Sequence, residues 1–214
     1  MTYRITFAVG GRARFLSHLE TVDTLLGALR RAGFDIALSK GMKPRPVISL
    51  ALPRAVGTET LADLADVELR GDHDPMEVGE RLANHLPLGM TVVAVERAEG
   101  RPAASQVEAV SYRVEVADDL DWAAALVAFA GAERCEVERT APGKATKRVD
   151  VKRFCSTLEH EPGQLRMELA VTDAGTARPE ELTTAVAALV GATPTIERLV
   201  RTAIRLREPV GVPT

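Results

Sequence analysis

Cysteines, aromatic residues and long apolar runs are all scarce in this sequence. Of its 214 residues, two are cysteines and 4% are aromatic. The cysteines, Cys135 and Cys155, form neither a CxxC pair nor a disulfide framework, so we expect a reducing compartment, the cytoplasm. The longest apolar run, residues 122–130, is far shorter than the roughly 20 residues that a membrane-spanning helix needs, so we predict no membrane association.

The sequence also lacks the common catalytic and cofactor motifs. It contains no GxxxxGK[ST], GxSxG, HExxH or GxGxxG sequence. The four histidines and two cysteines show no metal-ligand spacing, and no CxxxCxxC is present to hold an iron–sulfur cluster. We therefore predict no cofactor and no metal, and we favour a non-catalytic function over an enzyme.

A net charge of −3 conceals a strong segregation of charge along the chain. Residues 1–58 carry nine Lys and Arg against three acids, whereas residues 59–99 carry three Arg against ten acids. Residues 108–138 are again acidic, but residues 139–153 carry six bases and one acid. Two interpretations are open: oppositely charged solvated faces that balance each other, or a localised basic groove for a polyanion.

The first half of the chain shows the periodicities of both strands and helices. Apolar residues at every second position of 3–9 predict a strand. Ser17 and Glu20 form a capping box at the start of a helix that Gly33 ends. The next elements are a strand, a strand, a helix and a strand, predicted at 47–52, 66–70, 74–86 and 90–95. This order is β-α-β-β-α-β, the ferredoxin-like arrangement.

The second half repeats this plan with one interruption. Its strands and helices are predicted in the same order at 112–116, 121–130, 134–139, 165–171, 179–190 and 196–206. A basic insertion at 140–162 separates the second strand from the third. We therefore predict an α+β protein of two tandem ferredoxin-like (βαββαβ) units with antiparallel sheets, residues 1–98 and 109–214, joined by a linker at 99–108.

Two arginines and a histidine flank the start of the first helix. Arg12 and Arg14 precede it, and His18 lies in its first turn. The free N–H groups of a helix N-terminus attract anions, so these side chains are candidate ligands for RNA phosphates. The alternative is an ordinary capped helix with solvated arginines. His18 is also the candidate general acid or base of an enzyme, although a lone histidine is more often structural.

A loop at 39–46, with the sequence SKGMKPRP, is a further candidate binding element. Two prolines hold it stiff, and the cations Lys40, Lys43 and Arg45 project from it. Arg31, near the end of the first helix, joins the candidate phosphate ligands, although its interaction with the helix dipole is a sufficient structural reason for it.

A second basic block occupies 144–153. Its candidate RNA-phosphate ligands are Lys147, Arg148, Lys152 and Arg153, and they surround two alternating valines. This pattern predicts a strand or hairpin with cations on one side. Both an arm that grips phosphates and a solvated edge strand protected from aggregation by its lysines stay open.

Three segments near the N-terminus resemble one protein family. They are GRARFLSHLE at 11–20, ALRRAG at 28–33 and SKGMKPRPVIS at 39–49, with weaker similarity at 146–152 and 177–182. In order and spacing they resemble the radical-SAM-linked family, bacterial proteins of unknown function that are encoded beside or fused to a radical-SAM protein. The resemblance implies a radical-SAM partner and an RNA-processing context. The family usually has a histidine where this chain has Arg45, a change that removes a proton-transfer group and favours phosphate binding.

Three functions are compatible with these observations. The leading one is a non-catalytic accessory protein that binds structured RNA, a tRNA or rRNA, for a partner radical-SAM RNA-modifying enzyme. The second is a metal-independent RNA endonuclease or RNA-modifying enzyme that uses His18. The third is a protein–protein adaptor whose acidic segment at 59–99 docks a basic partner.

Overall fold

The computed structural model describes residues 1–117, 120–140, 143 and 145–207. Within these residues the chain divides into two units: unit 1 contains Met1–Val107 with residues 206 and 207, and unit 2 contains Glu108–Arg205. Both units combine helices with antiparallel strand pairs, which confirms the α+β class. Among the described residues, no helix is both long and apolar enough to cross a membrane.

Unit 1 has the predicted order of strands and helices. Its elements are β1 (Thr2–Val9), a 3-10 helix (Gly11–Phe15), α1 (His18–Arg31), β2 (Ile48–Leu50), β3 (Glu59–Glu68), α2 (Pro75–Ala83) and β4 (Met90–Arg97). The strands are hydrogen-bonded in the order β4-β1-β3-β2, and every pair is antiparallel. The 3-10 helix therefore follows the central strand β1 directly, and the long loop after α1 leads into the short strand β2.

The alternation of apolar residues along β1 places the core of unit 1 on one face of its sheet. Tyr3, Ile5, Phe7 and Val9 are buried on that face, while the residues between them are partly exposed. The buried sides of α1 and α2 belong to the same hydrophobic cluster. Both helices thus cover one face of the sheet, and the loops that connect them to the strands remain free to carry function.

The third strand of unit 1 starts earlier than the sequence predicts. It covers Glu59–Glu68 rather than 66–70. Three of its acids, Glu59, Asp63 and Asp66, are buried, and each is paired with an arginine. Charged residues at buried positions remove the alternation of apolar and polar residues by which a strand is recognised in a sequence.

The described residues of unit 2 form six strands, two α-helices and a short 3-10 helix, Lys152–Phe154. Its elements are β5 (Val107–Val116), α3 (Trp122–Gly131), β6 (Glu136–Arg139), β7 (Lys147–Asp150), β8 (Cys155–Glu161), β9 (Gln164–Ala170), α4 (Pro179–Ala188) and β10 (Ile196–Leu206). The main sheet of the unit has the order β10-β5-β9-β8, and β6 and β7 form a separate two-stranded sheet.

β8, the second strand along the chain in the main sheet of unit 2, lies where the sequence predicts an insertion. The segment at 134–139 forms β6, but β6 pairs with β7 and not with the main sheet. The strand that pairs with β9 is β8, inside the predicted insertion at 140–162. Along β8 no residue is fully buried, and the partly buried residues, Cys155, Leu158, His160 and Glu161, do not alternate with exposed ones, so the strand carries little hydrophobic periodicity.

In the segment 99–108, for which the sequence predicts a linker, residues 99–107 belong to unit 1 and Glu108 to unit 2. The segment holds a short 3-10 helix, Ala103–Ser105. The buried Ala103 donates its backbone N–H to Asp66 Oδ2 over 2.6 Å. The C-terminal boundary also differs, because residues 206 and 207 belong to unit 1 rather than to the second unit. The predicted second unit ends at residue 214, and residues 208–214 lie outside the described residues.

Candidate nucleic-acid interface

The loop at 39–46 presents three exposed cations. Lys40, Lys43 and Arg45 are all exposed, and none of their side chains forms an ion pair with any described residue. Met42, at the tip of the loop, is fully exposed as well. The three charges therefore face solvent with no carboxylate to neutralise them, which is the state in which a cation attracts phosphate.

Hydrogen bonds between its two ends close this loop. The N–H of Ser39 donates to the carbonyl oxygen of Arg45 over 2.8 Å, and the N–H of Arg45 donates to Ser39 Oγ over 3.0 Å. Leu38 and Pro46 form an isolated β-bridge just outside this pair. Gly41 has a φ of +147°, which residues with a side chain rarely adopt. The loop thus has a fixed base, which lowers the entropic cost of holding its cations near a ligand.

The 3-10 helix after β1 presents a second cationic surface. Arg12 is exposed and forms no ion pair with the described residues. Arg14 is half-buried, since its Nη1 lies 2.9 Å from Glu59 Oε1 and its guanidinium lies 4.9 Å from the centre of the Phe15 ring. Arg12 is therefore available to an anion, whereas the charge of Arg14 is largely neutralised within the protein.

A buried ion pair beneath this 3-10 helix was not predicted from the sequence. Arg54 Nε lies 3.3 Å from Asp63 Oδ2, and both side chains are about 5% exposed or less. Thr60 Oγ1 donates to the other Asp63 oxygen over 2.9 Å. Arg54 Nη1 donates to the backbone carbonyl oxygens of Arg14, at 3.1 Å, and Thr58. This cluster anchors the 3-10 helix to β3 and so fixes the position of Arg12.

The first turn of α1 is capped by the protein itself. The predicted capping box is confirmed: Glu20 N–H donates to Ser17 Oγ over 3.3 Å, and Ser17 N–H donates to Glu20 Oε2 over 2.8 Å. The hydrogen bond to the Ser17 side chain lowers the pKa of Glu20. A carboxylate therefore already occupies the position at this helix start that a phosphate would take.

His18 lies at the first residue of α1, partly buried. Its Nδ1 is shielded from solvent and has no hydrogen-bond partner among the described residues. A general base needs a neighbouring group that orients its ring and fixes its protonation. The enzyme that the sequence allows, with His18 as its acid or base, gains no support from this geometry and stays a prediction.

Arg31 ends α1 and contacts the segment after α2. Its Nη2 donates to the carbonyl oxygen of His85 over 2.9 Å, although most of the side chain is exposed. The backbone contact leaves other guanidinium donors unused, so Arg31 remains compatible with a phosphate contact.

Five of the ten acids in the segment at 59–99 are paired with nearby arginines. Besides the three buried acids of β3, Asp72 pairs with Arg97 over 2.7 Å and Glu77 pairs with Arg81 over 2.6 Å. A segment whose acids are paired within the fold presents a weaker negative field than its composition suggests. The adaptor function that the sequence allows is therefore not favoured by this surface.

The second basic block, for which the sequence predicts a strand or hairpin, supplies one strand of a hairpin, β7. Lys147 and Arg148 lie on β7, which pairs with β6 in the register Arg139↔Lys147 and Glu138↔Arg148. Arg148 is 3.5 Å from Glu138, whereas Lys147 is exposed and forms no ion pair within the described residues. Arg153 follows in the next turn and is also exposed. Lys144, the first residue of the block, lies outside the described residues.

Arg139 fixes this hairpin to α4. Its guanidinium donates to both Glu181 oxygens, at 2.7 and 2.6 Å, and to the carbonyl oxygen of Thr176 at 2.7 Å. The hydrogen bonds to Glu181 raise the pKa of Arg139. Such bidentate pairing is directional and strong, so the β6–β7 hairpin is held against α4 instead of extending freely as an arm.

Lys152 has a structural role rather than the predicted phosphate contact. Its ammonium group donates to three carbonyl oxygens at the end of α3, those of Phe129 at 2.7 Å, Ala130 at 2.9 Å and Ala132. A lysine has three N–H donors, so all of them are occupied. Lys152 therefore caps α3, where a cation also interacts favourably with the helix dipole.

We expect Lys152→Met to destabilise the protein by about 1–2 kcal/mol without changing its affinity for RNA. The loss comes from three charge-assisted hydrogen bonds and one helix-dipole contact. Urea denaturation measures the first quantity, and filter binding of tRNA measures the second. An unchanged urea midpoint together with weaker RNA binding would show that Lys152 binds phosphate, as the sequence predicts.

Burial protects both thiols from reaction. It raises the pKa of Cys135, and it raises the pKa of Cys155 to about 11. Cys155 Sγ also donates to the carbonyl oxygen of Thr157 over 3.4 Å. Neither cysteine belongs to a cluster that could hold a metal ion in the described part of the chain.

Alkylation of Cys155 by iodoacetamide is expected to be roughly 100-fold slower near pH 8 in the folded protein than in urea. The thiolate is the reactive form, and burial that raises the pKa of Cys155 from 9.0 to about 11 leaves far less of it near pH 8. The folded rate should then rise about tenfold per pH unit until the pH reaches the raised pKa. Mass spectrometry of the Cys155 peptide measures both rates, and equal rates would contradict the prediction.

Comparison with known proteins assigns the chain to a family without a described activity. Residues 2–179 match the model of a family described as an uncharacterized protein conserved in bacteria, DUF2344. No curated protein matches the chain. The match bears out the expected bacterial family of unknown function, and the link to radical-SAM proteins stays a prediction.

Two solved structures are similar to the chain at low identity. One is from a Cbf5-Nop10-Gar1 complex, with 10% identity, a TM-score of 0.48, and coverage of 93% of this chain but 48% of the other. This chain therefore spans about half the length of that protein. The other, an unknown protein from Galdieria sulphuraria, has 15% identity, a TM-score of 0.29 and coverage of 94% and 98%. Both TM-scores lie below 0.5, so these likenesses carry no information on function.

Proposed function

The chain belongs to the DUF2344 family of uncharacterised bacterial proteins, and we propose that it binds structured RNA through the loop at 39–46. The observation that carries the proposal is the set of three exposed, unpaired cations on a closed loop, Lys40, Lys43 and Arg45. Spaced cations on a stiff support neutralise successive phosphates and release their counterions, which provides most of the affinity for a nucleic acid.

The contrast with other charged residues of the chain strengthens this proposal. Many of its exposed arginines are matched by a carboxylate in the same unit, as Arg97 is by Asp72 and Arg166 is by Glu161. The loop cations and Arg12 have no such partner among the described residues. Unpaired cations grouped in one short loop repel each other, a cost that a polyanionic ligand offsets on binding.

The proposed RNA contacts fall into two sets. In unit 1 they are the loop cations with Arg12 and Arg31, while Arg14 serves mainly to position the 3-10 helix. In unit 2 they are Lys147, Arg148 and Arg153, of which Arg148 is partly neutralised by Glu138. Because phosphate contacts carry no base specificity by themselves, both sets contribute affinity more than sequence preference.

Filter binding of labelled tRNA and rRNA fragments at increasing salt tests this function. We expect retention at low salt, and the logarithm of the association constant should fall linearly with the logarithm of salt concentration. With three or more phosphate contacts the slope should be about −2 or steeper. Failure to retain any RNA at about 50 mM salt, or binding that does not respond to salt, would overturn the proposal.

We further propose that the protein is a non-catalytic accessory to a radical-SAM RNA-modifying enzyme. The support is the resemblance of residues 11–20, 28–33 and 39–49 to the radical-SAM-linked family. The chain has no cysteine motif for the cluster that such chemistry requires, so the partner would supply it. Co-purification of a tagged chain with a radical-SAM protein from its native cell checks this part of the proposal.

We also propose that each unit has the ferredoxin-like fold. In unit 1 the strands lie in the order β4-β1-β3-β2. A β-α-β-β-α-β chain forms this order when each helix connects two strands that are separated in the sheet by one other strand. The order β10-β5-β9-β8 repeats it in unit 2, with the β6–β7 hairpin inserted after the first helix. An experimental structure of the chain would test this assignment.

A further inference from the structure

A cavity of about 360 Å³ lies at the base of the loop at 39–46 in unit 1. Ser39 and Pro46, the two ends of the loop, both line it, and β2 and the segment at 98–102 form other parts of its wall. Its volume lies in the range of sites that enclose small organic molecules. The loop cations are thus attached at the edge of a cavity large enough for a nucleobase.

Three of the four charged side chains that line the cavity are opposite in sign to those of the loop. Asp66, Glu68 and Glu99 all contribute to its wall. Asp66 is already paired with Arg4 at 2.8 Å and accepts the Ala103 N–H. Glu68 and Glu99 have no ion pair among the described residues, and Glu68 is the less exposed of the two. A carboxylate can only accept hydrogen bonds, so this wall selects a ligand with N–H donors and repels phosphate.

We propose that the cavity binds an unpaired guanine base of the RNA, with Glu68 accepting hydrogen bonds from the guanine N1–H and N2–H groups. Guanine presents two adjacent donors on its Watson–Crick edge, and these match the two oxygens of one carboxylate. Unpaired bases that leave the stack are the usual targets of sequence-specific RNA recognition. The flanking phosphates stay outside, next to Lys40, Lys43 and Arg45 on the loop.

The apolar and hydroxyl groups of the wall suit the same ligand. Pro46 and Val47 provide apolar surface for the faces of the base, and the Ser49 hydroxyl provides a further polar contact. Arg101 also lines the cavity, is exposed and forms no ion pair in the described residues. It offers a donor to the guanine O6 or to a neighbouring phosphate.

This inference rests on the proposed RNA binding. One set of ligands tests the guanine site and the RNA binding separately. The probes are oligouridines that carry one central guanosine, inosine or adenosine, measured with the full chain by fluorescence anisotropy. Inosine lacks only the N2 amino group of guanosine. We expect the guanosine oligonucleotide to bind about tenfold more tightly than the other two, as a bidentate base contact requires.

Glu68→Gln is expected to remove that preference while leaving the binding of plain oligouridine within about twofold. The matched control is Glu80→Gln on α2, an exposed carboxylate outside the cavity, which should retain the preference. Thermal unfolding of both variants shows that they fold, and the inosine comparison needs no variant at all.

The outcomes of this experiment distinguish the two proposals. No salt-dependent binding of tRNA, of rRNA fragments or of any oligonucleotide overturns the RNA-binding function itself. Salt-dependent binding of tRNA or rRNA without binding of any oligouridine overturns the guanine site alone. Salt-dependent binding with equal affinity for guanosine and inosine overturns the guanine site alone. Loss of the preference in Glu99→Gln but not in Glu68→Gln overturns the assignment of Glu68.

Discussion

Replacing Lys40, Lys43 and Arg45 together with alanine is expected to weaken RNA binding by about 100-fold at 0.1 M salt. Each phosphate contact with a single strand contributes about 0.7 to the slope of log K against log salt, and the electrostatic contribution vanishes near 1 M. Three contacts therefore amount to about two powers of ten at 0.1 M. The same variant should have a salt slope that is about 2 less steep than that of the unmodified chain.

A second triple variant controls for the change in net charge. Arg97, Arg166 and Arg178 are exposed arginines, and each is paired with a carboxylate of its own unit. Their joint replacement by alanine changes the net charge by the same amount but removes no unpaired cation, so the salt slope should change by less than about 1. Equal losses of affinity in both triples would mean that RNA responds to total charge and not to the loop.

Folding of the loop variant is the other control. The loop closes through backbone groups and the Ser39 hydroxyl, and none of the three cationic side chains takes part in that closure. The free energy of unfolding should therefore change by no more than about 0.5 kcal/mol, as is typical of exposed substitutions.

The loop could be predicted from the sequence because its local chemistry is unambiguous. Two prolines, a glycine and three cations within 39–46 exclude a core element and indicate an exposed turn. The helices α1 and α2, with the N-cap residues Ser17 and Asp74, were predictable for a similar reason. Each cap side chain binds a backbone N–H within a few positions along the chain. Information of this kind lies in consecutive residues and needs no knowledge of tertiary contacts.

The features that sequence analysis missed depend on partners far along the chain. Arg54 follows a proline in a segment that looks like a surface loop, and only the fold shows that Asp63 neutralises it. Lys152 lies in a basic block, yet its ammonium group caps a helix that ends about 20 positions earlier. β8 is an edge strand without a buried face, so its pairing with β9 leaves no periodic pattern.

The cavity beside the loop was equally hidden in the sequence. Glu68 is one acid in a strongly acidic stretch, and its position at the base of a cationic loop follows from the pairing of β2 with β3. The signal that could have indicated it is the run of apolar and hydroxyl residues that directly follows the loop. That run predicts a strand and so brings the end of the loop into a sheet.

Arg54→Met is expected to destabilise unit 1 by about 3–5 kcal/mol, the largest effect of any single substitution considered. Removing one partner of a buried ion pair leaves the other charge without compensation in a region that water does not reach. Asp63 is 3% exposed, so its carboxylate would lose the guanidinium that lies 3.3 Å away, while the hydrogen bond from Thr60 would remain. The 3-10 helix would also lose the donor that binds the Arg14 carbonyl oxygen.

Hydrogen exchange of the β1 amides measures this loss in the intact chain. The method reports on the unit that contains the pair, whereas the only tryptophan, Trp122, belongs to unit 2. The matched control is Arg70→Met, because Arg70 pairs with Asp35 at 3.7 Å on the surface, and an exposed pair contributes less than about 1 kcal/mol.

A double variant separates the cost of an unpaired charge from the value of the pair itself. Replacing Arg54 with methionine and Asp63 with leucine removes both charges, so the desolvated carboxylate disappears along with its partner. We expect the double variant to be more stable than Arg54→Met alone, although the lost hydrogen bonds to Arg14 and Thr58 keep it below the unmodified chain. If the double variant were the less stable of the two, the Asp63 carboxylate would stabilise unit 1 through its other contacts even without Arg54, and an unpaired charge could not explain the loss in Arg54→Met. The net contribution of the pair, together with the hydrogen bonds through which Arg54 holds the 3-10 helix, is the difference in stability between the unmodified chain and the double variant.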